Sequence, residues 1–131
     1  MVLKYSPLMR SLKLNKLETL IGTLPRLRIY SGSKPADCAA AATGTMLCEM
    51  VLPSNWMADA DTGVKVKAGT WQGAAAATGT AGYFRIYDNA GSVCHIQGTA
   101  GTSGDLFMDS ASITAGQTVT ITAASITAGN A

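Results

Sequence analysis

Gly79-Thr80-Ala81-Gly82-Tyr83-Phe84-Arg85-Ile86-Tyr87-Asp88-Asn89-Ala90-Gly91, with Ser92-Val93-Cys94-His95-Ile96-Gln97-Gly98 behind it, is the stretch whose reading decides the fold. Phe84 and Ile86 alternate with Tyr83, Arg85 and Tyr87, the period-two pattern of a strand with one buried face. Asp88-Asn89-Ala90-Gly91 bends the chain with residues that tolerate left-handed backbone angles, and a second short strand starts at once. The two strands read as a central hairpin on which the others can pair.

Outward from that hairpin the same period returns. Leu27 and Ile29 alternate with Arg26, Arg28 and Tyr30 until Ser31-Gly32-Ser33-Lys34-Pro35 ends the run. Met46, Cys48, Met50 and Leu52 oppose Leu47, Glu49 and Val51, so this strand is expected to be covered on both faces. Trp56-Met57 is placed as a plug at one end of the core. Val64 and Val66 alternate with Lys65 and Lys67, which reads as a half-exposed strand whose lysines blunt a free edge. Leu106 and Met108, then Ile113, then Thr118-Val119-Thr120-Ile121-Thr122 complete the series, the last with Val119 and Ile121 inward. The spacing predicts an all-β domain, an antiparallel sandwich or jelly roll of about eight short strands, with a small barrel as its near relative.

One helical pattern precedes the strands. Ser6-Pro7 is a start signal and Gly22 a stop. Leu14, Leu17 and Ile21 share one side with Leu20 beside them, while Leu8 and Leu12 project the opposite way. A short helix apolar on two sides suits a wedge between two bodies; the alternative is an extended arm over residues 1–10 with a helix only from Ser11 to Ile21. The organisation expected is a basic arm or helix over residues 1–22 and a β body over 23–131, and removal of the former is expected to leave the latter folded.

Composition agrees with a β domain of modest core. The chain is 47% hydrophobic, but 21 of those residues are Ala, and 15 Thr and 14 Gly accompany few charged groups. The net charge of +2 conceals two ends: residues 1–34 carry +6 and residues 35–131 carry −4. Such polarity suits a basic end docking on an acidic surface, or one copy's head meeting another's tail. Nucleic acid is a poor match, because the arm lacks dense Arg and interleaved aromatics. No apolar run reaches the roughly 18 residues of a membrane span, and Lys4, Arg10, Lys13 and Lys16 interrupt any secretory signal, so the chain is expected to stay cytoplasmic until something else carries it out. Three short repeats, Ala39-Ala40-Ala41-Ala42-Thr43-Gly44-Thr45 with Ala74-Ala75-Ala76-Ala77-Thr78-Gly79-Thr80 the longest, share no period and mark loops leading into strands.

Candidate chemistry is thin. Cys38, Cys48 and Cys94 are odd in number and form no framework, so reduced, partly buried thiols are expected. His95 is the lone histidine; in a strand it faces away from Cys94, and a nucleophilic pairing would need Cys38 or Cys48 to reach it. Its expected role is a polar residue on the outer face of the hairpin. Asp59 and Asp61, with Asp105 and Asp109, raise calcium binding or sugar cleavage, but Asp59-Ala60-Asp61-Thr62-Gly63 lacks the downstream bidentate Glu of a calcium loop. Gly101-Thr102-Ser103-Gly104 is too irregular to cradle phosphate. Trp56, Trp71, Tyr83 and Tyr87 are the candidates for stacking on a sugar ring, against the alternative of core or interface. No catalytic, cofactor or metal residues are assigned.

Several segments carry a likeness. Lys4-Tyr5-Ser6 with its short helix, Leu52-Pro53-Ser54-Asn55-Trp56-Met57, Gly69-Thr70-Trp71 and Gly79-Thr80-Ala81-Gly82-Tyr83-Phe84-Arg85-Ile86 are joined by Cys94-His95-Ile96-Gln97-Gly98 and Ser112-Ile113-Thr114-Ala115-Gly116-Gln117-Thr118-Val119-Thr120. Their order resembles the small virion proteins of tailed bacteriophages and prophages, most of all the capsid decoration, or cement, proteins. The resemblance spans nearly the whole chain and implies a sandwich or jelly roll, trimers on the outer shell of the head, the major capsid protein as partner, and no catalytic residues. The contacts expected under it come from Lys4, Leu8, Arg10, Leu12, Lys13, Lys16, Arg26 and Arg28. A receptor- or glycan-binding fibre module, or a collar or tail component, is the alternative.

Overall fold

The computed structural model describes residues 4–61, 63–102, 106–108 and 110–127. One helix, α1 (Pro7–Ile21), precedes nine strands among those residues: β1 (Arg26–Ser31), β2 (Met46–Val51), β3 (Val64–Val66), β4 (Gln72–Ala74), β5 (Gly79–Tyr87), β6 (Cys94–Gly101), β7 (Leu106–Met108), β8 (Ser112–Ile113) and β9 (Thr118–Thr127). The chain is thus mostly β with a short N-terminal helix. Strand order runs β2-β1-β5-β6-β7-β9-β3, with β4 on β9 and β8 on β5. Pairing is antiparallel except between β6 and β7, which makes the sheet mixed.

The sheet curls until its β2 edge meets β4. Cys48 of β2 bridges Ala75, just beyond β4, and the Ala76 N–H donates to the Leu47 carbonyl at 2.8 Å. Small residues make that approach possible: a Cβ on Gly79 would lie 2.9 Å from the Leu47 side chain. Both Ala-rich repeats accordingly sit where the chain enters a strand, the first ahead of β2 and the second running into β5. Inside the curl one cluster joins Leu27, Ile29, Phe84 and Ile86 to Leu106, Met108 and Ile121, with Trp56, Met57 and Trp71 buried at its side. Each indole N–H has a carbonyl partner, Gly22 for Trp56 at 3.2 Å and Trp56 itself for Trp71 at 3.1 Å.

The central hairpin forms as its sequence dictates, with Asp88 accepting from the Ser92 N–H at 2.9 Å to close the turn. Two strand expectations need correction. Tyr83, Arg85 and Tyr87 are as buried as Phe84 and Ile86, so β5 has two covered faces rather than one. In β3 the expected faces are reversed: Lys65 is 0% exposed, while Val64 and Val66 lie on the surface. The reason is α1, which packs on the Lys65 side and brings an acid to it.

The Ser6 hydroxyl accepts from the Met9 N–H at 3.2 Å, Pro7 opens α1, and the Gly22 N–H closes it on the Glu18 carbonyl at 2.9 Å. The helix therefore begins at the proline, and residues 7–10 belong to it. Leu14 and Ile21 are buried and Leu17 partly so, while Leu20 beside them is exposed, as are Leu8 and Leu12 on the opposite side.

Candidate interaction surface

Helix α1 is bolted to the body by polar contacts. Lys65 Nζ donates to Asn15 Oδ1 at 2.9 Å and to the Ala58 carbonyl at 2.8 Å, and pairs with Glu18 Oε1 at 2.7 Å. Those contacts use all three ammonium donors, which is what a fully buried lysine requires. Asn15 Oδ1 also accepts from the Ala60 N–H at 2.8 Å, and Ser11 Oγ from the Gly63 N–H at 3.0 Å. Ala60 and Gly63 are thus docking points for the helix. Gly63 has φ +77°, and a Cβ there would lie 2.5 Å from the Arg10 guanidinium, so the position needs glycine.

With that face occupied, the opposite one is bare. Leu8 is 70% exposed, Leu12 57% and Leu20 68%, with Met9 half-exposed alongside. Residues 8 and 12, one turn apart, form a short apolar ridge with Met9 beside it, and Leu20 lies two turns further on, beyond Lys16. Lys16 is exposed in the same row after Leu12 and Lys13 is exposed beside it, Lys13 Nζ resting 4.2 Å from the centre of the Tyr5 ring, and Lys4 is exposed ahead of the first turn.

The expected contact residues therefore separate. Lys4, Leu8, Leu12, Lys13 and Lys16 face outward, whereas Arg10 is buried over Gly63. Arg26 and Arg28 are half-buried and both pair with Glu49, Arg26 Nη1 at 2.9 Å; Arg28 also lies 4.4 Å over the Tyr87 ring. Burial alone would raise the Glu49 carboxyl, but the hydrogen bonds and charges of Arg28 and Arg26 outweigh it and hold it below the usual range. Beside them Tyr30 stacks on Tyr83 with centroids 5.0 Å apart, and burial, then the Tyr87 hydroxyl, push Tyr30 up to about 12.

The other candidate residues disperse. Trp56, Trp71, Tyr83 and Tyr87 are buried and present no stacking face to a sugar. His95 is half-buried on β6, Cys48 Sγ lies 3.5 Å from the Ala74 carbonyl, and Cys38 meets Cys94. Asp59 and Asp61 are exposed on either side of Ala60; Asp105 and Asp109, like Ser103-Gly104, lie outside the described residues. Among the described residues no three His, Cys, Asp or Glu side chains gather as a metal site, and no helix is long and apolar enough to cross a membrane. Two clefts, one beside Val119 and Met108 and one beneath Ile126 and Ile96, enclose about 60 and 20 Å3.

Sequence reasoning missed Lys65 and Arg85 as buried anchors. The available signals were Glu18, the lone acid in a basic segment, and Arg85, set between Tyr83 and Tyr87 on one strand face. No protein-family model, curated protein or solved structure matches the chain.

Proposed function

We propose that this chain is a non-enzymatic virion structural protein, a capsid decoration or cement protein that binds the major capsid protein and neighbouring copies of itself, as a trimer, on the head of a tailed phage. The observation that carries the reading is the exposed ridge of Leu8 and Leu12, with Met9 beside it and lysines around it, on a helix whose other face is fixed to the β body. Contiguous exposed leucines rimmed by charge mark a protein-docking surface. Its basic rim fits an acidic patch on the capsid lattice, and the −4 charge over residues 35–131 offers a complementary region on a neighbouring copy. The resemblance to phage virion proteins names the partner.

We read the body as a member of the sandwich or jelly-roll class. The support is that side chains of β1 and β5 meet those of β7 and β9 across one core.

Deleting residues 1–22 would strip Glu18 and Asn15 from Lys65 and unsettle the body, so substitutions on the ridge are the better test. Leu8→Glu combined with Leu12→Glu leaves the buried face of α1 untouched. Mixed with heads assembled from the major capsid protein of the phage that encodes this chain, the native protein is expected to co-sediment in multiples of three. The double variant should bind about 100-fold more weakly or worse, the effect of losing two buried leucines. Equal co-sedimentation of the two proteins, or no binding by the native one, would sink the proposal.

A further inference from the structure

Residues 32–45, which join β1 to β2, form a strap across the outer face of β5 and β6. Arg85 Nη2 donates to the carbonyls of Asp37 at 3.1 Å and Ala40 at 2.7 Å. Gln97 Nε2 donates to the Pro35 carbonyl at 2.9 Å, and the Tyr83 hydroxyl accepts from the Thr43 N–H at 2.9 Å while donating to the Thr43 carbonyl. Glycines permit the crossing, since a Cβ on Gly82 would collide with the Gly32 carbonyl at 1.9 Å. Within these contacts Cys38 of the strap and Cys94 of β6 hold their Sγ atoms 2.7 Å apart. That separation is within about 0.7 Å of the S–S bonding distance of about 2.05 Å.

We propose that Cys38 and Cys94 form an intrachain disulfide that staples the strap to the sheet when the folded protein meets an oxidising low-molecular-weight disulfide such as glutathione disulfide. The strap has already been brought to the sheet by Arg85, Gln97 and Tyr83, so the thiols are held together before any bond forms. The two residues are 56 apart in sequence, which is why spacing alone gave no sign of a pair. Cys48 takes no part, being buried against the Ala74 carbonyl.

The exchange proceeds in two displacements. Burial, and then the neighbouring Cys38 sulfur, push the Cys94 thiol up to about 12, so Cys94 keeps its proton and donates it toward Cys38 Sγ. The Cys38 sulfur attacks glutathione disulfide, forming a mixed disulfide and releasing one glutathione, which takes the Cys38 proton. The Cys94 sulfur then displaces the second glutathione, and its proton leaves on that thiol. Two cysteine thiols are oxidised and one glutathione disulfide is reduced to two glutathiones. The Arg85 guanidinium beside Cys94 favours the negative sulfur that the second displacement passes through.

The test is to incubate the folded full-length protein with glutathione disulfide, alkylate it under denaturing conditions and measure intact mass and non-reducing peptide maps. The expected result is one alkylated cysteine, Cys48, and a single linked peptide pair joining Cys38 to Cys94. Cys38→Ser and Cys94→Ser should each abolish that pair, Cys48→Ser should keep it, and the oxidised native protein should melt about 10 °C above its reduced form. Three alkylated cysteines, a stable glutathione adduct, or linkage through Cys48 or between chains would overturn the proposal.

Discussion

Lys65 and Arg85 are two buried cations that the fold satisfies in opposite ways. Lys65 is 0% exposed and meets an acid, Glu18, brought to it by the N-terminal helix. Arg85 is 2% exposed and is held by neutral groups: the Asp37 and Ala40 carbonyls, Gln97 Oε1 at 3.1 Å and the Tyr87 hydroxyl at 3.4 Å. A compact ammonium can close its three donors on one carboxylate and two oxygens, while the flat guanidinium spreads its donors over a loop and a strand. Each cation thereby fastens a different element to the sheet, Lys65 the helix and Arg85 the strap.

The comparison breaks first at Arg85. Arg85→Met removes the donor that anchors two strap carbonyls and leaves Gln97 and Tyr87 short of a partner. A loss of about 3 to 4 kcal/mol is expected, with early proteolysis within residues 32–45. Urea unfolding and limited digestion measure both; an unchanged cleavage pattern would show that the strap does not depend on Arg85.

Lys65 should respond according to which partner is removed. Glu18→Gln leaves the ammonium buried without an acid and should cost about 3 kcal/mol. Lys65→Met removes the charge and fills the space, leaving a partly exposed Glu18, so it should stay within about 1 kcal/mol of the native protein. Comparable losses in the two variants would mean that the pair contributes through packing alone.

The smallest effect belongs to the partly exposed cluster of Arg26, Arg28 and Glu49. Because the folded Glu49 carboxyl sits below its usual range, the unfolded chain binds the proton first as pH falls. The contribution is fully present above the ordinary carboxylate range and is lost as pH drops through the depressed folded value. Glu49→Gln should cost about 1 kcal/mol at neutral pH and flatten that part of the acid limb in thermal melts taken across the pH range.

Much of this was legible locally. Ser6-Pro7 and Gly22 bound the helix because capping and proline geometry act within one turn, and Asp88-Asn89-Ala90-Gly91 closed the hairpin for the same reason. The apolar side of α1 carrying Leu8 and Leu12 was readable too, though Leu20, beside Leu17 on the helix, is exposed. The burial of Trp56 and Met57 was visible from their apolar bulk.

What the residues alone determined, then, was period and punctuation: which segments extend, where they turn, and where the helix starts and stops. Which face of each strand points inward was decided only when distant pieces covered it. Lys65 went inside because α1 delivered Glu18 and Asn15, and Tyr83, Arg85 and Tyr87 because the strap closed over them. The meeting of Cys38 with Cys94 followed from that same closure. Alternation reports two faces of a strand but not their environments, because burial is set by contacts between segments far apart in the chain.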